Sequence, residues 1–220
     1  MTETLASAFY AVSSLFSLIL IGFLLWMVYR FPSARRLWGL LAAGWALNVA
    51  SSVFWGLYVW LVGEDVPDLV GILYIARYVF VGLAFLIYPT AFSIRRIIEV
   101  LGAVLVAGVV VWYGLMEPLH IATGHSFSYM WGDAIFPIMD AGVLYAVWVR
   151  WQNASDETAE VTMKWLTLAM MAYGLANFVN TGARTVVADA DSLGALLFWF
   201  LTDVFAAIAA WQFFRRRREL

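Results

Sequence analysis

The chain has 220 residues, of which 64% are apolar and only 13% charged, with a mean hydropathy of +0.85. A soluble domain is about 45–50% apolar and about 25% charged, so there are too few charges here to coat a globule in water. Cysteine is absent, which excludes disulfides, thiolate-held metals and a cysteine nucleophile, and a net charge of −2 offers no broad basic surface, so no nucleic-acid partner is expected.

A spanning helix needs about 20 predominantly apolar residues. In chain order, the windows that meet this are Phe9–Tyr29, Leu37–Val62, Leu69–Ile94, Ile97–Met116, Tyr129–Val149, Val161–Asn180 and Leu193–Phe214. No short alternating segments suggest a barrel, and lipid requires a backbone that pairs with itself. The sequence therefore predicts an all-α integral membrane protein, one seven-transmembrane-helix bundle over residues 1–220. The first window lacks the basic flank and cleavage pattern of a signal peptide. Pro89 and Pro137 fall inside spans, where kinks are expected. The longest connections, Glu117–Ser128, Arg150–Glu160 and Thr181–Ser192, read as loops too short to form a domain.

Orientation follows from the basic residues. Arg30, Arg35, Arg36, Arg95, Arg96, Arg150, Lys164 and Arg215 to Arg218 all fall on one side, against Arg184 alone on the other. The positive-inside rule then puts the N-terminus outside and the C-terminus in the cytoplasm. The predicted location is the cytoplasmic membrane, crossed several times. Trp60, Trp112 and Trp131 are expected at the outer interface, and Trp38, Trp148, Trp151 and Trp165 at the inner one, as an anchoring belt.

Ionisable groups at membrane depth are costly and mark candidate sites. Arg77 lies in the third span, Asp133 and Asp140 in the fifth, two turns apart on one face, and Asp203 in the seventh. Arg77 is expected to pair with Asp203 or Asp140, either as a structural lock or as a ligand, proton or switch site. Tyr173 and Asn177 on the sixth span complete this candidate polar centre. Asn48, Ser51, Ser52, Asn177 and Asn180 are expected to hydrogen-bond between helices, and Gly44, Gly82, Ala84, Gly142, Gly174, Ala206 and Ala210 to mark close packing. No metal is predicted. The weak candidates His120 and His125 share the outer loop with Glu117, but their spacing fits no ligand motif. No zinc-protease, nucleophile-elbow or phosphate-loop pattern occurs, so no enzymatic activity is expected.

The arrangement resembles the seven-helix membrane sensor region of prokaryotic histidine kinases. The resemblance rests on Tyr29-Arg30-Phe31-Pro32-Ser33-Ala34-Arg35-Arg36, Gly44-Trp45-Ala46-Leu47, Gly82-Leu83-Ala84-Phe85-Leu86 with Pro89, Pro118-Leu119-His120 and Gly174-Leu175-Ala176-Asn177. It implies sensing of a small ligand between helices. Because no kinase, PAS or cyclase module follows the last span, a signalling role implies a separate membrane or cytoplasmic protein partner. The chain also resembles microbial rhodopsins, through Ala76-Arg77-Tyr78, Ala172-Tyr173 and Asp203-Val204. The position of that family's retinal-binding lysine is here Ala207, or Ala206 in a neighbouring alignment. Its counterion position is Phe80 and its proton-donor position Ala91. Lys164, the only lysine, sits at the end of the sixth span. This departure implies no covalent retinal, leaving a noncovalent lipid or carotenoid-type ligand.

The expected function is thus a sensory or signalling-type membrane protein, held in the lipid bilayer, without an output domain of its own. The alternatives are a non-enzymatic accessory subunit of a larger membrane complex, a rhodopsin-like protein lacking covalent retinal, or a small transporter using the Asp133 and Asp140 face.

Overall fold

The computed structural model describes residues 3–62, 68–87, 94–124, 127–186 and 193–218, and every element among them is helical. In order these are α1 (Glu3–Arg30), a 3-10 turn (Pro32–Ala34), α2 (Arg35–Val62), α3 (Asp68–Ile87), α4 (Ile94–Val111), a π turn (Trp112–Met116), α5 (Glu117–Thr123), α6 (Phe127–Gln152), α7 (Glu157–Val186) and α8 (Leu193–Arg218).

Five stretches are long and apolar enough to cross a membrane: Ala11–Arg30, Pro32–Trp55, Ile97–Ala122, Ala134–Gln152 and Gly194–Arg218. They coincide with the first, second, fourth, fifth and seventh predicted spans, and they mark a membrane protein. The third predicted span contains the shorter apolar helix Gly71–Ile87. The sixth falls in α7, which is helical for 30 residues but is not among the five. Its buried side chains include Thr158, Thr162, Thr167, Asn177 and Thr181. A helix covered by protein on several sides need not be apolar all round.

Several boundaries differ from those expected. Ile94 opens α4 instead of closing the third span, because apolarity alone does not separate a helix end from an apolar connection. Pro89 and its expected kink lie outside the described residues. The expected loop at Glu117 is helical to Thr123, with Pro118 in the first turn and Gly124 closing it at φ 71°. That is the proline-first, glycine-last pattern of a short helix. Pro118 also accounts for the π turn just before it. Its ring lacks an N–H and would crowd the carbonyl four residues back. The wider turn, in which the Glu117 N–H reaches the Trp112 carbonyl, gives it room. α7 runs on to Val186, six residues beyond the expected end at Asn180.

The connection expected at Arg150–Glu160 is tighter, since α6 ends at Gln152 and α7 starts at Glu157. The Asn153 side chain donates to the Val149 carbonyl at 2.8 Å, closing α6. Asp156 caps α7, its Oδ1 accepting the Ala159 N–H at 2.8 Å. Its other oxygen, Oδ2, meets Arg217 at 3.2 Å, and Arg216 pairs with Glu157 at 2.6 Å. Acids at the start of α7 therefore face bases at the end of α8, and each sign matches its helix dipole.

By packing, the chain divides into two units, residues 11–92 and residues 1–10 with 93–220. In the first, α2 packs against α3. A Cβ on Gly44 would lie 2.5 Å from a Val81 methyl and 3.5 Å from the Arg77 carbonyl, so this glycine sets how closely the helices approach. Ser52 bonds its own helix at the Asn48 carbonyl (3.0 Å) and meets the Tyr74 hydroxyl of α3 at 3.2 Å. Ser51 differs from expectation: its hydroxyl bonds the Leu47 carbonyl within α2 at 2.7 Å. Gly82 differs too, since a Cβ there meets nothing within 4 Å among the described residues. Trp38, expected as an interfacial anchor, is fully buried.

In the second unit α7 packs most extensively on α8 and next on α6, while α4 lies against α6. Alanines 169, 172 and 176 of α7 and 206, 209 and 210 of α8 are all buried, the small-residue surfaces that let membrane helices approach closely. Val111, Met116, Ala134 and Ile138 form an apolar cluster where the π turn meets α6. α6 continues helically through Pro137.

Gly44→Leu should destabilise the protein by about 1–3 kcal/mol through overpacking against Val81. Gly82→Ala should be neutral or stabilising by up to about 1 kcal/mol. Helix-monitored unfolding in mild detergent measures both, and equal effects would contradict the contrast. Asp156→Ala should cost about 1 kcal/mol through loss of the cap. Asp156→Asn keeps a capping oxygen and should cost less than about 0.5 kcal/mol, because the ion pair is half-exposed; the same melts separate the two.

Candidate functional site

The site is built where α6, α7 and α8 meet. Asp140 of α6 and Asn177 of α7 are both buried, although neither gains anything from an apolar surrounding. Gly174 makes their meeting feasible: a Cβ there would already lie 3.4 Å from the Asp140 Cβ. With no side chain at Gly174, α7 lies close to α6, and Asn177, three residues on and on the same face, reaches the carboxylate. Asn177 Nδ2 donates to Asp140 Oδ2 at 2.7 Å, and Trp199 Nε1 of α8 donates to Asn177 Oδ1 at 3.1 Å.

Donor and acceptor chemistry fixes the direction of this chain. An indole N–H only donates, so Asn177 must turn its carbonyl towards Trp199. That leaves its N–H groups for Asp140. The amide thus joins three helices through two hydrogen bonds, and the bond to the carboxylate is the stronger where the acid is ionised. Polarisation runs one way, from Trp199 through Asn177 to Asp140.

Asp203 is buried one turn beyond Trp199 on α8, and Tyr173 is buried one turn before Asn177 on α7. Asp140 precedes the end of α6 at Gln152 by twelve residues, and Asp203 precedes Arg215 by twelve. At 1.5 Å per residue Asp140 lies about 18 Å along α6 from Gln152, and Asp203 about 18 Å along α8 from the first of its closing arginines, near half of an apolar layer of about 30 Å.

The structure brings Asp140 of α6 and Asn177 of α7 together directly, with Tyr173 also on α7 and Asp203 on α8. Arg77 belongs to the 11–92 unit, where it is buried with its guanidinium 5.9 Å from the Trp45 ring and 5.6 Å from the Tyr78 ring. The side chain of Asp133 lies outside the described residues, so the expected two-aspartate face does too. His120 sits in α5 and not in a loop, its carbonyl accepting the Gly124 N–H at 2.9 Å. His125 lies outside the described residues. Among those described, no group of three or more His, Cys, Asp or Glu is placed to hold a metal.

Trp199 is the member that sequence reasoning missed. It is not among the tryptophans expected at the interfaces, and it lies four residues before Asp203. A half-buried indole N–H still seeks an acceptor, and its spacing from the aspartate is the available signal.

No protein-family model, curated protein or solved structure matches the chain. The geometry of the site itself therefore carries the functional argument.

Interhelical hydrogen bonds in membranes average only about 0.6 kcal/mol and reach about 1.7. Trp199→Phe, which removes the N–H and little volume, should cost about 0.5–1 kcal/mol on that scale. Asn177→Leu strands a donor and an acceptor and should cost about 1–3 kcal/mol. The double variant should cost less than the sum, because both single changes break the same bond. Strict additivity in unfolding measurements would show that the chain is not an energetic unit.

Proposed function

We propose that this is a multi-pass protein of the cytoplasmic membrane, of sensory or signalling type, whose responsive element is the Asp140–Asn177–Trp199 chain. The seven predicted spans, with the N-terminus outside and the C-terminus in the cytoplasm, belong to this proposal. One observation carries it: the single buried amide of Asn177 bonds side chains of two other helices. Such an element holds the three helices in one arrangement while it is intact. A small, largely apolar molecule seated among them, of lipid or carotenoid type, would compete for the amide or the carboxylate. It would shift the population by its differential affinity for the broken and intact forms. The change would be passed to a separate protein partner.

This reading uses the site to bind and respond, not to catalyse, and it calls for no metal and no covalent retinal. An accessory subunit of a larger membrane complex is the second reading. What favours it is the helix over Ile97–Ala122, only 6% of whose most apolar window is buried.

Protein purified from its native membrane in mild detergent should carry a small extractable molecule and a signalling partner. Asn177→Leu should lower the bound molecule about tenfold, equivalent to about 1.4 kcal/mol, while retaining helix content. A chain that migrates alone on a native gel, with an empty organic extract and a featureless absorbance spectrum, overturns the proposal. A stoichiometric complex of membrane proteins, indifferent to Asn177→Leu, favours the subunit reading.

A further inference from the structure

The chain turns sharply from α1 into α2, and the turn is basic. No acidic residue occurs between Glu3 and Glu64, whereas Arg30, Arg35 and Arg36 fall close together midway. Glu3 opens α1, about 40 Å along that helix from Arg30, and α2 carries the chain about 40 Å from Arg35 before Glu64 is reached. The turn itself is held tight. The Phe31 N–H donates to the Met27 carbonyl at 2.9 Å and the Ala34 N–H to the Phe31 carbonyl at 3.0 Å. Ala34, Leu37 and Trp38 are buried beneath it, while Tyr29, Arg30, Pro32, Ser33, Arg35 and Arg36 are exposed, Tyr29 at 86%. Arg30 lies 5.8 Å from the Phe31 ring, and its charge suits the carbonyl end of α1. Arg35 and Arg36 stand instead in the first turn of α2, where a cation opposes the helix dipole and no acid accompanies it. Among the described residues neither forms an ion pair, whereas Arg95, Arg216 and Arg217 each do.

We infer that this turn binds the phosphodiester headgroup of an anionic phospholipid. The two segments it joins, Ala11–Arg30 and Pro32–Trp55, are both apolar enough to cross a membrane, so the turn meets a headgroup layer whichever side it faces. Like charges crowded on a fixed backbone repel one another, and the acids nearest in sequence lie a helix length away. The neutralising anion therefore comes from outside the chain. A guanidinium matches a phosphate by bidentate hydrogen bonding, and Arg35 and Arg36 offer two on consecutive positions. Tyr29 takes the interfacial place that such rings favour. Trp26, 41% exposed and one turn before Arg30, continues that aromatic edge, its ring stacked on Phe23 at 5.7 Å. Charge complementarity names an anionic headgroup over a zwitterionic one, whose own ammonium would add to the crowding. The exposed rings and the two apolar helix ends beside the charges favour a lipid over a soluble anion or an acidic protein.

Native mass spectrometry of the full chain, given equal amounts of phosphatidylglycerol and phosphatidylcholine, tests the occupant. Wild type should retain phosphatidylglycerol preferentially. Arg35→Gln with Arg36→Gln should lower that preference about 30-fold, equivalent to about 2 kcal/mol. Arg216→Gln with Arg217→Gln should change it less than about threefold, because Glu157 and Asp156 already meet those charges. Equal losses in the two pairs, or no lipid preference in wild type, would overturn the assignment. So would displacement of the lipid by an equal concentration of soluble glycerol phosphate, which would mark a free-anion site, or of a polyglutamate peptide, which would mark a protein-docking surface. If the first pair fails to fold, Ser33→Cys supplies a second measurement, since the chain has no other cysteine to label. A fluorophore attached there should be quenched more by phosphatidylglycerol carrying a doxyl group near its headgroup than by phosphatidylcholine labelled in the same way. Equal quenching by the two lipids would likewise overturn the assignment.

Discussion

An amide has one face that donates and one that accepts, and at Asn177 the neighbours leave only one way to place them. Trp199 takes the carbonyl because an indole has nothing but a donor to offer, and Asp140 receives the N–H. In water such a choice would matter little, since solvent would serve whichever group was left over. In an apolar interior no solvent stands by, so the rotation of α6, α7 and α8 about their own axes must suit this one contact. A turn of any of the three would leave a polar atom facing hydrocarbon.

Packing sets the distances at which that bonding is feasible. Gly174 removes the one side chain that would hold α7 away from Asp140, and buried alanines line both α7 and α8. Gly142 does for α4 what Gly174 does for α7: a Cβ on it would lie 2.5 Å from a Val104 methyl. Hydroxyls follow another economy. Those of Thr162, Thr167 and Thr202 each bond the carbonyl four residues back on their own helix, so they ask nothing of neighbouring helices. The amide and the carboxylate have no such local exit, and for that reason they hold helices to one another.

Much of the fold was legible because lipid admits so few solutions. Length and apolarity picked out the helices that became α1, α2, α4, α6 and α8. They failed at the ends, where Glu117–Thr123 and Glu157–Glu160 looked like loop for being polar, although a backbone continues its helix into water without regard to side-chain hydropathy. Asn177 and Asp140 were visible because polarity at depth is conspicuous. Their contact was not, since it depends on how closely α7 lies against α6, and Gly174 was read only as one small residue among several. Ser51 looked like an interhelical donor because sequence shows that a hydroxyl is present but not which carbonyl it chooses.

Asp156 divides its two carboxylate oxygens between the first turn of α7 and the last turn of α8. Helix ends ordinarily fray independently, each opening and closing at little cost. Here the two ends share one residue, so unwinding the start of α7 releases Arg217, and loosening α8 removes the charge that holds the capping side chain in place. Fraying at this end is therefore a joint event of two antiparallel helices. Anything that displaces Arg217 acts, through one carboxylate, on the beginning of the helix that carries Asn177.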